Sequence, residues 1–427
     1  MKTMTDELVD KGEAARIAAR QLAKVSGGVR NQALLNIADR VVDEQDAILD
    51  ANRIDLDAGR QKGLPEYYLD RMMLDLERLE AIASDVRSVA SLPDPVGEVI
   101  EMRSMPNGLQ VGRRRVPLGV VGVIYESRPN VTVDISTLCL KSGNAVILRG
   151  GSDTINSNTA LSDVIRQAVA EAGAPENAVQ LFQSTDRQLV GRMLEARDYI
   201  DLLIPRGGQE LINRVARDAK MPAITGGVGV CHTYVDKEAD LDMAADIVFN
   251  AKVQRYSVCN AMDTLLVHST VAPAYLPKIA SKFAEAGVEM RCDRRALSLL
   301  GPSNGGRALQ VIPASEDDWS TEFLALIAGV RVVDSLDDAL NHIQTYGSGH
   351  SDAIVTEDYS AAMRFVDEVD SSAVFVNCST RFNDGGQFGF GAEVAISTNK
   401  FHARGPMGLK ELTSYKWTVM GSGQVRT

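Results

Sequence analysis

The sequence predicts an α/β protein built from two doubly wound parallel-sheet domains, with a β-hairpin set apart from both. Three observations predict it. Apolar strand-like runs alternate with helical periodicity through 117–219, with glycine-bearing loops at strand ends. A second alternation of the same kind runs through 264–377. Between the two arms of 98–115 sits Asn107-Gly108, a strong hairpin signal because both turn positions tolerate positive φ.

The elements follow in order. Residues 5–92 read as helices: Ala14, Ala15, Ile17, Ala18 and Leu22, then Leu34, Ile37, Ala38 and Val41, recur at helical spacing with charge between them. Gly27-Gly28 is expected to break the first helix from the second. Pro93 and Pro95 punctuate the chain before the hairpin, whose arms carry Arg103, Arg113, Arg114 and Arg115. A buried-type strand is expected at 117–125, broken by Glu126-Ser127-Arg128-Pro129-Asn130, a polar loop at a strand's carboxyl end. Helices are expected at 133–141, 157–172, 188–196 and 210–219. Strands are expected between them at 145–148, 179–182 and 199–204. Arg149-Gly150-Gly151-Ser152 and Pro205-Arg206-Gly207-Gly208 close two of those strands. No GxGxxG follows the first strand, so the ordinary dinucleotide fingerprint is absent. The second half reads as helix 241–252, strand 264–268, helix 274–286, strand 353–355, helix 359–369 and strand 373–377. A last extended strand is expected at 412–420.

Chemistry concentrates in Val253-Gln254-Arg255-Tyr256-Ser257-Val258-Cys259-Asn260-Ala261-Met262. A cysteine at a helix-to-strand junction, amid small and polar residues, can be held against a cleft. A thiolate is the strongest ordinary nucleophile near neutral pH, and a neighbouring cation such as Arg255 favours it.

Composition excludes several classes. The 427 residues are 45% hydrophobic and 24% charged, with a formal net charge of -12, which suits a globular protein with real cores and argues against a nucleic-acid binder. The five cysteines, Cys139, Cys231, Cys259, Cys292 and Cys378, form no CxxC pair, as expected of free thiols in a reducing cytoplasm. All but Cys259 read as structural. Histidine spacing suggests no metal. Residues 1–23 do not read as a signal peptide, and no apolar run approaches the roughly 20 residues needed to span a bilayer.

Several blocks resemble the aldehyde dehydrogenase superfamily. They are 117–124, Ser142-Gly143-Asn144-Ala145-Val146-Ile147-Leu148-Arg149, Gly226-Gly227, Ala239-Asp240-Leu241-Asp242, Cys259, Tyr346-Gly347, Val355-Thr356-Glu357-Asp358 and Val374-Phe375-Val376-Asn377. The loop 125–130, the stretch 253–260 and His402-Ala403-Arg404-Gly405-Pro406-Met407-Gly408-Leu409 resemble its branch that reduces an acyl phosphate. The resemblance covers nearly the whole chain. It implies NADPH-dependent reduction of L-glutamyl 5-phosphate to L-glutamate 5-semialdehyde and phosphate, the second step of proline biosynthesis. The competing expectation is a hydrolytic NAD(P)-dependent aldehyde dehydrogenase. A glutamate kinase would supply the unstable substrate.

The resemblance assigns 1–97 and 117–232 to an NADP-binding domain and 233–400 to a catalytic domain. It assigns 98–116 and 401–427 to a hairpin and strand that join copies of the chain into a homo-oligomer. Cys259 becomes the nucleophile. The superfamily's oxyanion asparagine falls at Arg128 by ungapped count and at Ser127 if anchored on the next proline. Arg128 is preferred, because a guanidinium also suits the substrate's phosphate. Arg149 and Ser152 stand where the superfamily grips the adenine ribose with lysine and glutamate. Arg149 would attract a 2'-phosphate, while the adjacent Asp153 works against it. Gly207 and Gly208 match the pyrophosphate loop, and Glu322 matches the glutamate that holds the nicotinamide ribose. Asn130, Arg255, Asn377 and Arg381 are candidates for the substrate's charged ends. In Pro222-Ala223-Ile224-Thr225-Gly226-Gly227, Ile224 or Thr225 stands where hydrolytic members carry a water-activating glutamate.

Overall fold

The computed structural model describes residues 6–226, 228–301 and 310–426. Gly227 lies outside them, as do 1–5 and 427, the ends of the outermost ranges assigned from sequence. By its contacts the chain forms two compact units. The first comprises Met1–Thr225, Gly389–Ala395 and Met407–Thr427, and the second Gly226–Phe388 and Ile396–Pro406.

The first unit opens with helices α1 (Glu7–Leu22), α2 (Gly27–Asp43), α3 (Gln45–Gln61), α4 (Glu66–Met72) and α5 (Leu76–Ser91). Most of their apolar stripe residues are buried, Leu22, Leu34, Ile37 and Val41 completely, whereas Ile17 is half exposed. Gly27 and Gly28 open α2 rather than breaking the chain before it. The start is set by Ser26, whose hydroxyl accepts from the Val29 N–H at 3.4 Å and satisfies a donor of the first turn.

The hairpin follows as β1 (Val99–Ser104) and β2 (Gln110–Pro117). At its turn Gly108 has φ 85°, and Asn107 Oδ1 accepts from the Leu109 N–H at 3.2 Å. Then come β3 (Val120–Tyr125), α6 (Asn130–Lys141), β4 (Ala145–Arg149), α7 (Ile155–Glu171), β5 (Val179–Leu181), α8 (Gln188–Glu195), β6 (Leu202–Arg206) and α9 (Gln209–Asp218). The four strands form a parallel sheet ordered β5-β4-β3-β6. The strand expected at 117–125 is two: Pro117 ends β2, and β3 starts at Val120. Between them Gly119 takes φ 126°, and a Cβ there would meet the Asp201 carboxylate at 2.1 Å. That carboxylate accepts from the Val120 N–H at 2.8 Å, which also explains why the strand expected at 199–204 begins only at Leu202.

The second unit contains β7 (Cys231–Val235), α10 (Leu241–Val253), β8 (Met262–His268), α11 (Ala272–Ala286), β9 (Glu289–Cys292), α12 (Arg294–Leu300) and β10 (Gln310–Pro313). It continues with β11 (Ile327–Val333), α13 (Leu336–Tyr346), β12 (Ser351–Val355), α14 (Tyr359–Glu368) and β13 (Ala373–Val376). Among the described residues its strands form a seven-stranded sheet ordered β10-β9-β11-β8-β7-β12-β13, parallel throughout. Val248, Leu265, Tyr275, Ile279 and Phe283 fill one face, and Tyr234, Leu266, Ile354 and Phe365 the other. By contacts the second unit begins at Gly226, and β7 pairs within its sheet. A short pair, β14 (Ile396–Ser397) and β15 (Gly405–Pro406), completes this unit.

The tail strand β16 (Thr413–Met420) returns to the first unit. It lies antiparallel on β2, from Thr413 opposite Pro117 to Met420 opposite Gln110, in a three-stranded sheet β1-β2-β16. Trp417, Val419 and Met420 on it are more than half exposed.

Candidate active site

In the second unit, α10 ends at Val253 and β8 begins at Met262. Cys259 stands in the turn between, half-buried. Its backbone is clamped. A Cβ on Gly229 would fall 1.5 Å from the Cys259 carbonyl oxygen, so only glycine fits there. Cys231, at the start of β7, donates its Sγ–H to the same oxygen at 3.1 Å. The Thr380 hydroxyl donates to the Asn260 carbonyl at 2.7 Å, and Asn260 Nδ2 donates to the Asn383 carbonyl at 3.0 Å. The loop carrying the thiol is thus fixed by β7, by the 228–230 segment and by the turn after β13. Such fixing suits a nucleophile that must meet its target in one geometry.

Glu322 joins this arrangement, since its Oε1 accepts from the Gly229 N–H at 3.0 Å. Burial, against the pull of that hydrogen bond, raises the Glu322 carboxyl to about 7, with the nearby Asp263 charge adding to the rise. Asp263 accepts from the Phe323 N–H at 3.1 Å and so holds the Glu322 segment. Burial pushes Asp263 up to about 6 although Lys252 Nζ lies 3.6 Å away. Lys252 is fully buried, and its ammonium donates to the Met262 carbonyl at 2.9 Å.

Arg255 and Arg381 belong to the same neighbourhood. Burial, and then the charge of Arg255, hold the Arg381 guanidinium below its ordinary value, while Asp384, and after it Cys259, draw it upward. Arg381 Nε donates to Gln254 Oε1 at 2.9 Å, at the residue where α10 passes into the cysteine turn. Asn377 is engaged differently: its amide accepts from the Thr356 N–H and donates to the Thr356 carbonyl, both at 2.9 Å. Both its polar ends lock the exits of β12 and β13.

In the first unit β3, β4 and β6 end side by side, with Ile124 opposite Arg149 and Tyr125 opposite Arg206. β4 and β5 lie to one side of β3 and β6 to the other. The connections diverge there, which is where open α/β sheets leave a ligand crevice. Loop 126–130 stands at that point. Arg128 is exposed, whereas Ser127 is buried and accepts from the Tyr68 hydroxyl at 3.0 Å. The burial of Ser127 supports Arg128 as the residue of this loop that reaches a ligand. Asn130 Nδ2 donates to Asp134 Oδ2 at 2.9 Å, and burial pushes that carboxyl up to about 7. The Gly208 N–H donates to Glu126 Oε1 at 2.8 Å, and a Cβ on Gly207 would meet the same carboxylate at 2.7 Å. This glycine turn at the start of α9 therefore already accommodates an anionic oxygen.

Arg149 ends β4. Its guanidinium donates to the Gly150 carbonyl at 2.9 Å and the Thr185 carbonyl at 3.3 Å, and its buried Nε has no partner. Burial, then the charge of Arg187, holds this guanidinium below its ordinary value. Two cations with an unused donor fit a phosphate. Asp153, the residue that weighed against this reading, is 2.7 Å from Lys62 Nζ and so is locally neutralised. Ser152 opens the exposed turn beside it.

Residues 2–312 match the aldehyde dehydrogenase family. The chain is 56% identical over 420 residues to a gamma-glutamyl phosphate reductase of Dehalococcoides mccartyi strain CBDB1, covering 98% of each chain. The chain belongs to the gamma-glutamyl phosphate reductases of the aldehyde dehydrogenase family. A relative of that name from Moorella thermoacetica is 55% identical, with 98% of this chain and 99% of the other covered. The crystal structure of the Thermotoga maritima gamma-glutamyl phosphate reductase superposes with a TM-score of 0.96 at 46% identity, over 99% of this chain and 100% of that one. Membership in the family makes this an oxidoreductase fold for a nicotinamide cofactor.

Within this gamma-glutamyl phosphate reductase fold, several residues at the cysteine escape a reading of the sequence. Cys231 reads as structural, yet its thiol touches the Cys259 carbonyl. Lys252 reads only as the end of the helix 241–252, and Asp263 falls just before the strand expected at 264–268. Only the register of β7 on β8, with Cys231 opposite Met262, brings these groups together.

Proposed function

We propose that this chain catalyses NADPH-dependent reduction of L-glutamyl 5-phosphate to L-glutamate 5-semialdehyde and phosphate through a thioester on Cys259. The observation that carries the proposal is the backbone clamp on Cys259, in a chain whose relatives bear that activity over their full length. The Cys259 thiolate attacks the acyl carbon, the carbon–oxygen bond to phosphate breaks, and a thioester remains. NADPH bound at the first unit's strand ends would supply the hydride that reduces it. The resulting hemithioacetal oxygen passes its charge back to sulfur as the carbon–sulfur bond breaks, releasing the aldehyde. Arg128 serves the oxyanion and the leaving phosphate. Arg255 and Arg381 bind the anionic ends of the substrate, with Asn130 and Asn377 shaping the loops that hold them.

Arg149, with Ser152, takes the cofactor's 2'-phosphate; Gly207 and Gly208 take the pyrophosphate, and Glu322 the nicotinamide ribose. Arg149→Ala should cut the ratio of kcat/KM for NADPH over NADH by roughly tenfold or more, the loss of one charge-assisted contact. An unchanged ratio would place the 2'-phosphate contact elsewhere.

The exposed apolar side chains of β16 and the free edges of the β1-β2-β16 sheet support a role in joining copies of the chain. Sedimentation of the intact protein at micromolar concentration should show a homodimer or a higher oligomer; a monomer refutes this. The absence of a CxxC pair supports a cytoplasmic setting, and among the described residues no helix is long and apolar enough to cross a membrane. Glutamyl phosphate is unstable, so a glutamate kinase is the natural supplier. The test of the activity is a coupled assay with glutamate, ATP, a glutamate kinase and NADPH, in which NADPH oxidation must depend on every component.

A further inference from the structure

The first unit holds a second cleft, unconnected with the strand-end loops described above. It encloses about 660 Å³ between α1, the start of the hairpin and β16. Its charged lining is Arg16, Arg20, Arg114, Arg115 and Lys416 against the single carboxylate of Asp201. In a chain of net charge -12 such a concentration of cations is out of character.

Two of the five are compensated. Arg16 lies 2.6 Å from Asp201, and Arg115 lies 2.9 Å from Glu98. The other three, Arg20, Arg114 and Lys416, have no carboxylate partner among the described residues. Arg114 donates only to the Gly97 carbonyl, at 3.2 Å. Its guanidinium packs across Gly97, where a Cβ would come within 3.0 Å of it. The antiparallel register sets Lys416 directly opposite Arg114. Residues so paired point to one face with Cβ atoms roughly 4.5–5.5 Å apart, and like charges there destabilise the sheet. The fold thus keeps a repulsive cation pair at the wall of a cleft and adds a third unpaired cation from α1.

We infer that this cleft binds a small polyanion carrying two or more phosphates, held by Arg20, Arg114 and Lys416. Anionic oxygens between Arg114 and Lys416 turn the repulsion into two charge-assisted contacts. The volume falls in the range of small-molecule sites. A bare polyphosphate and a nucleoside polyphosphate share this chemistry.

The test is calorimetric titration of the full-length protein, saturated with NADPH so that the cofactor's phosphate contacts are filled. Tripolyphosphate and magnesium-free ATP are the probes. One tripolyphosphate per chain should bind, with affinity falling as salt rises. Tighter binding of ATP, in competition with tripolyphosphate, identifies a nucleotide site; preference for tripolyphosphate identifies a polyphosphate site. Arg114→Gln with Lys416→Gln should weaken binding about 100-fold, roughly tenfold per cation. Arg20→Gln, on the exposed face of α1, should weaken it about tenfold and keeps the test alive if the double variant fails to fold. Absence of saturable binding overturns the proposal, as does affinity undiminished in a folded variant. So does a double variant that sediments as a smaller species, because the cations would then serve a subunit contact.

Discussion

Cys259→Ala should lower the rate of NADPH oxidation by about four to six orders of magnitude, the loss that follows when a covalent route disappears. The substitution removes only the sulfur. The contacts that shape the turn run through backbone atoms, namely the Cys259 carbonyl to Cys231 and the Asn260 carbonyl to Thr380. The variant should therefore keep its fold and its affinity for the cofactor, and the defect should lie in kcat. Steady-state kinetics with a cofactor-binding titration would check this. Turnover within tenfold of the parent would mean that no thioester on Cys259 lies on the route.

The second large effect concerns water. In the oxidative direction, NADP reduction with glutamate semialdehyde should require inorganic phosphate and give little free glutamate. Hydrolysis of a thioester needs a base to activate water. By the resemblance, Ile224 or Thr225 stands where hydrolytic members carry that base, and neither side chain accepts a proton at neutral pH. Ile224 is buried, and its N–H is tied to the Leu203 carbonyl at 2.9 Å. Phosphate needs no such help, being an anion already. Rates measured with and without phosphate in a non-phosphate buffer should differ by at least about 100-fold, the span general-base catalysis commonly supplies. Equal rates, with glutamate as product, would reveal a base and the hydrolytic reaction. A glutamate introduced at the buried Ile224 would be forced into an apolar site. Thr225→Glu, at a half-buried position, is the better variant for gaining hydrolysis.

The strands of the first sheet were legible because each is a short apolar run, β4 and β6 with glycine in the loop that follows, and a parallel strand buried on both faces leaves that mark. The Asn107-Gly108 hairpin was legible from turn chemistry alone, and the tail strand as an extended run. Much of the second sheet was not. β7 contains His232 and Thr233, both fully buried, and so does not read as an apolar run. β9 alternates half-buried Glu289 and Arg291 with buried Met290 and Cys292 over four residues, too few to establish a period.

At the site, the nucleophile was legible because its chemistry is carried by one contiguous block. Its supports were not. Gly229 is one glycine among several in its segment, and nothing local shows that a Cβ on it would fall 1.5 Å from the Cys259 carbonyl oxygen. The Lys252–Asp263 pair joins a helix to the next strand through the interior, where residue type argues for the surface. Arg255 and Arg381 lie together near Cys259, while the Asn377 amide is taken by Thr356.

The central claim is that the glutamyl group resides on Cys259 before reduction. It is tested most directly by mixing the enzyme with glutamyl phosphate, freshly made by a glutamate kinase, with NADPH withheld. The reaction is quenched in acid and the peptides are weighed. The account predicts a glutamyl adduct on the peptide containing Cys259, lost when NADPH is added before the quench. An unmodified Cys259, with NADPH oxidation proceeding normally in the same preparation, would contradict it.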